Sequence, residues 1–235
     1  MGAKTRIEPT TTTTTTRTAT TANAILGVLA LRPSWSTWEL TKQLGRNMRF
    51  FWPRAESRIY EEALRLEREG LAKAVRSHVG KRPRTTYSIT AKGRRTLAAW
   101  MATPPKATTL ECEPLLRVMV ADLGTIADLR SAVAQVRVDA DAILDVGRIV
   151  GAEYLEGRGP FQDDVHVRAF VFDFLTHHAL AMRAWSDRTA IAIDAWEGAS
   201  DDDRDAAAIQ TIRSCLSAYP PAQPPATEPV ASARA

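Results

Sequence analysis

The sequence predicts a mainly α chain in two parts: an α+β module over residues 22–103, then an all-helical region over 110–217. Three observations carry that expectation. A helical stretch opened by Pro53 runs through Gly70 into two short alternating segments, which are separated by the basic turn Gly80-Lys81-Arg82-Pro83-Arg84. After Thr103-Pro104-Pro105-Lys106 the pattern becomes wholly helical. The charge divides near the same place. Residues 1–110 hold 20 Lys and Arg against 7 Asp and Glu, a net +13, whereas residues 111–235 hold 11 against 20, a net −9. A helix that leads at once into a hairpin with a cationic tip is a winged-helix arrangement, and its basic half suits a polyanion.

The elements follow in order. Residues 1–21 contain an unbroken threonine run with no periodic apolar face, which reads as a disordered tail. Asn23 or Thr21 can cap a first helix over 24–31, whose apolar face holds Ile25, Leu26, Val28 and Leu29. Arg32-Pro33-Ser34 ends it, and Ser36 or Thr37 caps a second helix over 37–44 with Glu39 near its N-terminus. The third helix spans 54–69. Ile59, Ala63 and Leu66 form its inward stripe, and Arg54, Ser57 and Arg58 lie in its first turns. Gly70 stops it. Leu71, Lys73 and Val75 begin one strand, Tyr87 and Ile89 alternate with Thr86, Ser88 and Thr90 on the next, and Thr90 caps a helix that carries Leu97 and Trp100 inward.

Beyond the linker, Glu113-Pro114 opens a short helix. A longer one runs from Ile126 to about Leu155, with Ile126, Leu129, Val133, Val136, Ala140 and Ile143 at 3-4 spacing. A last long helix over 162–196 carries Phe172, Leu175, Ala179, Met182, Ile193 and Trp196, and a short segment follows over 208–216. Residues 218–235 are rich in Pro and Ala and read as a second disordered tail. Long apolar stripes cannot stay exposed, so each is expected to pack within its own chain or against a second copy in a homodimer.

Jointly, several of these stretches resemble the PadR family of winged-helix transcriptional regulators. They are Ile25-Leu26-Gly27-Val28-Leu29, Trp38-Glu39-Leu40, Phe51-Trp52-Pro53, Ile59-Tyr60, Arg65-Leu66-Glu67-Arg68-Glu69-Gly70-Leu71, and Arg82-Pro83-Arg84-Thr85-Thr86-Tyr87-Ser88-Ile89-Thr90 with Gly93. Two positions depart from the usual family pattern, Ala63-Leu64 in the third helix and Trp38 in the second. The resemblance implies a cytoplasmic regulator, a repressor acting on double-stranded DNA with an inverted repeat. It implies a dimer made by the helical region, and release by a small phenolic, aromatic or drug-like effector. It also places Tyr60 to donate its hydroxyl to a phosphate.

Each candidate has a plainer alternative. Arg54, Ser57 and Arg58 can meet base edges in a major groove, or can form a solvated face with Glu56 and Glu61. Tyr60 can instead be a half-buried core ring. Lys81, Arg82 and Arg84 crowd one hairpin tip, which suits a phosphate backbone, or they merely solubilise it. Phe170, Phe172, Phe174, Met182, Trp185 and Trp196 are core, dimer interface or a pocket for a flat effector, and nothing selects that effector. His177-His178 with Asp173 could begin a metal-dependent sensor or enzyme, but no third ligand is dictated. A winged helix can also be a protein-interaction module. No GxSxG or P-loop occurs, so neither an enzyme nor a cofactor is expected. Cys112 and Cys215 are far apart and fit reduced thiols. No apolar run approaches the roughly 18 residues of a membrane span.

Overall fold

The computed structural model describes residues 12–53 and 56–220. Expectations for residues 1–11, for Arg54 and for 221–235 lie outside them. Two compact units form. One holds the described residues up to Glu111 together with Ile143–His177; the other holds Cys112–Ala142 and the described residues from His178 onward. The sequence places its boundary at the 103–110 linker, whereas the first unit also takes in the later segment 143–177.

In the first unit, α1 (Thr12–Ala30) and α2 (Thr37–Asn47) flank the two-residue strand β1 (Trp35–Ser36). A 3-10 turn (Met48–Phe50) leads to α3 (Glu56–Arg68), then β2 (Ala72–Val79), β3 (Arg82–Ile89) and α4 (Ala91–Met101). The sheet is antiparallel in the order β1-β3-β2, with Trp35 opposite Tyr87, Ala72 opposite Ile89, and Val79 opposite Arg82. This is the expected winged helix. Ile25, Leu26, Leu29, Leu40, Leu66 and Tyr87 are fully buried at its centre, and the stripe of Ile59, Ala63 and Leu66 faces them.

Local chemistry sets the ends of these elements. Ser36 Oγ accepts from the Glu39 N–H, and the Ser36 N–H donates to Glu39 Oε2 at 2.8 Å, a reciprocal cap on α2. Gly70 ends α3 at φ 70°, a left-handed value that glycine adopts without strain. Thr90 Oγ1 accepts from the Gly93 N–H at 3.0 Å and caps α4. A Cβ on Gly93 would lie 2.1 Å from the Leu71 carbonyl oxygen, so α4 can lie against β2's start only with glycine there.

Some boundaries differ from expectation. α1 begins at Thr12, so part of the threonine run is helical rather than tail. The chain between the first two helices is not just a turn, because it pairs with β3. The hairpin turn is tight: Gly80-Lys81 suffice, with Gly80 at φ 60°, so Arg82, Pro83 and Arg84 belong to β3. Trp100 is partly exposed instead of inward, and Leu97 alone of that pair packs on the core.

The first unit is completed by the end of α6 (Ile126–Leu155) and the start of α7 (Val165–Asp194). The turn between them is held by Tyr154. Its hydroxyl donates to the Pro160 carbonyl at 2.8 Å, Gln162 Nε2 donates to the Tyr154 carbonyl at 3.2 Å, and the Gly159 N–H donates to Gln162 Oε1 at 3.1 Å. A Cβ on Gly159 would sit 2.2 Å from the Tyr154 ring, so the ring closes down on bare backbone.

In the second unit, α5 (Glu113–Met119) precedes the first part of α6; the rest of α7 and α8 (Asp201–Ser217) follow. Leu129, Val133 and Ile193 form its core, with Trp185 and Trp196 packed against them. Ser186 Oγ donates to the Val133 carbonyl at 2.9 Å, and Arg137 pairs with Asp187. The 3-4 stripe is buried as expected from Leu129 to Ile143, while Ile126 is exposed. α8 starts at Asp201, earlier than the expected 208, because Ser200 and Asp203 form a capping box. No residue of α5 or α8 is buried. Among the described residues, no helix is long and apolar enough to cross a membrane.

Candidate nucleic-acid interface

Two exposed sets of side chains stand on the winged helix. On α3, Ser57, Arg58 and Tyr60 are exposed, while Ile59, Glu62 and Ala63 between and below them are buried. Arg58 meets Glu61 at 3.5 Å, a loose surface pair that a stronger anion can displace. Tyr60 is nearly half exposed, which suits a phosphate contact and a half-buried ring alike.

The second set is the wing. Lys81 sits in the two-residue turn, Arg82 faces Val79 across the ladder, and Arg84 faces Ser77. All three are exposed. Among the described residues, Lys81 and Arg82 have no ion-pair partner, and Arg84 lies 3.9 Å from Glu39 Oε2. Uncompensated cations at a tip repel one another until a polyanion arrives.

The structure removes some neighbouring cations from this set. Arg76 makes a two-pronged pair with Glu67 at 2.8 Å on each arm, tying β2 to α3. Lys92 donates to the Glu69 carbonyl at 2.8 Å, at the C-terminal end of α3. Both are structural clamps more than a reserve of free charge.

Sequence reasoning did not reach the support beneath the wing. Glu39 touches Ser36, Arg32 at 3.0 Å and Arg84. The Ser36 hydroxyl and N–H, then Arg32, hold its carboxyl below the ordinary carboxylate range, so it stays charged. Arg32 in turn lies over the Trp35 ring at 3.5 Å. The S-x-x-E spacing shows the cap, but no local pattern shows that β3 brings Arg84 to it.

The first unit also holds a partly open cavity of about 240 Å³. Leu31, Phe51, Val150, Phe161, Phe172 and Arg168 are among its lining. The wall is mostly apolar, and Arg168 Nε is buried without a hydrogen-bond partner among the described residues. The Arg46–Glu153 pair joins α2 to α6 beside it. Of the aromatic residues singled out in the sequence as core, interface or pocket, Phe172 lines this cavity and Trp185 and Trp196 join the second unit's core. His177 pairs with Asp173 at 3.2 Å in the open, and among the described residues no three His, Cys, Asp or Glu gather to hold a metal.

Residues 25–99 match the family model of the transcriptional regulator PadR-like family. Over these residues the winged-helix module is similar to that family. No curated protein matches the sequence. Solved structures share the fold of this chain. The PadR-like transcriptional regulator BC1756 from Bacillus cereus aligns at 19% identity and a TM-score of 0.61, covering 74% of this chain and 98% of that one. Bacillus subtilis PadR in complex with operator DNA aligns at 20% identity and 0.59, covering 73% and 98%. The same protein in complex with p-coumaric acid aligns at 18% identity and 0.55, covering 75% and 97%.

Proposed function

We propose that this chain is a sequence-specific DNA-binding transcriptional regulator. It acts as a homodimer, with the module over 22–103 reading each half of an inverted repeat and the helical region over 110–217 pairing two copies. The observation that carries this reading is the wing: Lys81 and Arg82 are exposed and have no ion-pair partner among the described residues, Arg84 is weakly held, and the three stand on the same module as an exposed α3 N-terminal face. Arg54, Ser57 and Arg58 are the base-reading candidates, and Tyr60 with the wing cations supplies phosphate contacts. Bacillus subtilis PadR, whose fold this chain shares, is known bound to operator DNA, which supports the assignment.

The sign of regulation is repression, taken from the family resemblance, and such a regulator works in the cytoplasm beside its DNA. The effector is a small apolar or aromatic molecule seated in the cavity of the first unit. Two features support that seat: its apolar wall, and the fact that Phe51, just before α3, is part of that wall. Bacillus subtilis PadR is also known in complex with p-coumaric acid, a molecule of this class.

The test is selection of genomic fragments by the purified protein at two salt concentrations, read by sequencing. Recovery of a palindromic site that persists at the higher salt supports the proposal. Diffuse enrichment that disappears with salt would reduce the basic face to a non-specific electrostatic surface.

A further inference from the structure

A continuous set of contacts joins the cavity to the wing within the first unit. Phe161 lines the cavity, and Arg168 stands over its ring at 5.5 Å. The Phe161 ring centroid is also 5.8 Å from that of Trp35. Trp35 is buried and sits in β1 opposite Tyr87 of β3. From Trp35 the contacts continue through Arg32 to Glu39, and from Glu39 to Arg84.

Phe161 is also conformationally unusual. Its φ of 60° and ψ of 48° are left-handed, and among the described residues it is the non-glycine residue with positive φ. A bulky side chain avoids this region, and such strain persists where the surroundings over-determine it. Here the Tyr154, Gly159, Pro160 and Gln162 bonds fix the turn on both sides of the residue. The strained backbone aims a cavity-lining ring at the sheet.

β1 is poorly equipped to hold its own place. It has two residues, and its ladder to β3 is two residue pairs long. Its position therefore depends on how Trp35 packs, and Phe161 supplies part of that packing.

We propose that Phe161 is the positioning residue through which occupancy of the cavity reaches the wing. A ligand that draws the ring away from Trp35 loosens β1 from β3 and unseats Arg84 from its DNA-ready place. This rests on the reading of the cavity as an effector site. Linkage requires such a ligand to bind the loosened state better, and bound DNA to weaken the ligand by the same factor.

Phe161→Asn tests it, because Asn accepts the left-handed backbone but lacks the ring. Phe161→Tyr keeps both ring and contact. Without ligand, amide protection at Trp35, Ser36, Thr86 and Tyr87 should fall about tenfold in Phe161→Asn, within the range of ordinary coupling between sites, and return to the wild-type value in Phe161→Tyr. The probe is 8-anilinonaphthalene-1-sulfonate, with the palindrome recovered by selection as DNA. It should weaken operator binding of the wild-type dimer by about 5- to 150-fold. In Phe161→Asn the probe should still bind, but that effect should be lost. Unchanged protection together with unchanged coupling in Phe161→Asn would overturn the proposal. If the probe binds undiminished to Val146→Trp, which fills the cavity, the effector-site reading falls instead. The exchange result then decides the Phe161 contact alone.

Discussion

Ser36 ends β1, caps α2 and orients Glu39, so its removal acts on helix and wing together. Ser36→Ala should lower stability by about 1 kcal/mol, the usual loss of a capping side chain, in urea unfolding. Glu39 adds a pH signature. Its folded carboxyl is held below its ordinary value of 4.5, first by the Ser36 hydrogen bonds and then by Arg32. A carboxylate depressed in the folded state contributes stability that is fully present above 4.5 and is lost as pH falls through the folded value. The stability gap between wild type and Glu39→Gln should thus be constant from neutral pH down to about pH 5 and shrink below it. A gap that widens in acid would contradict the assignment. Gly93 is a second sharp position: Gly93→Ala forces a methyl group against the Leu71 carbonyl and should cost about 1–3 kcal/mol. The cap was legible in the sequence, since Ser36 and Glu39 stand at capping-box spacing. The Gly93 contact was not, because the atom it avoids lies 22 residues away in sequence and beside it only in the fold.

At the scale of elements, the hairpin and α3 should fail in different ways. Arg82→Ala with Arg84→Ala removes two cations from the wing. Binding should weaken on every DNA sequence, and the slope of log affinity against log salt should become shallower by about 2, close to one unit per lost phosphate contact. A smaller change would mean that Glu39 already satisfies Arg84 in the complex. Arg58→Ala should instead relax sequence preference at a few operator positions, each by about 1–3 kcal/mol, measured by binding to single-base operator variants. Uniform loss across those variants would assign Arg58 to the backbone. Periodicity made the helices and the hairpin readable: the buried stripe of α3 and the buried run from Leu129 to Ile143 are as spaced in the sequence. β1 was unreadable, since two residues carry no period and exist as a strand because Tyr87 and Thr86 lie opposite. The turn is narrower than its sequence suggests for a related reason. Pro83 reads as a turn residue in isolation, but here it sits within a strand, opposite His78.

For the whole molecule the open question is what covers the second unit. Leu123 is 89% exposed, Ile191 71% and Ile212 54%, and α8 buries nothing along its 17 residues. A helix of that length is marginal in water without a packing surface, and apolar patches of this kind on a single chain mark an interface. The proposed dimer would supply both the cover and the two-fold symmetry that an inverted repeat demands. The aromatic and aliphatic spacing of α5 to α8 made this need visible in the sequence, but self-pairing depends on which faces stay open after folding, and spacing does not encode that. Ile191→Glu and Ile212→Asp place a charge on those open faces of α7 and α8 without disturbing a buried residue of the chain. If either face is the interface, the wild type should sediment as a dimer with a concentration-dependent apparent melting temperature, and that variant should sediment as a monomer and lose that dependence. Its affinity for a single half-site should be kept, while affinity for the full palindrome should fall by about 10²- to 10⁴-fold, the gain that bivalent contact provides. A variant that remains dimeric would exclude its face. A monomer that still holds the palindrome at wild-type affinity would break the link between symmetry and operator.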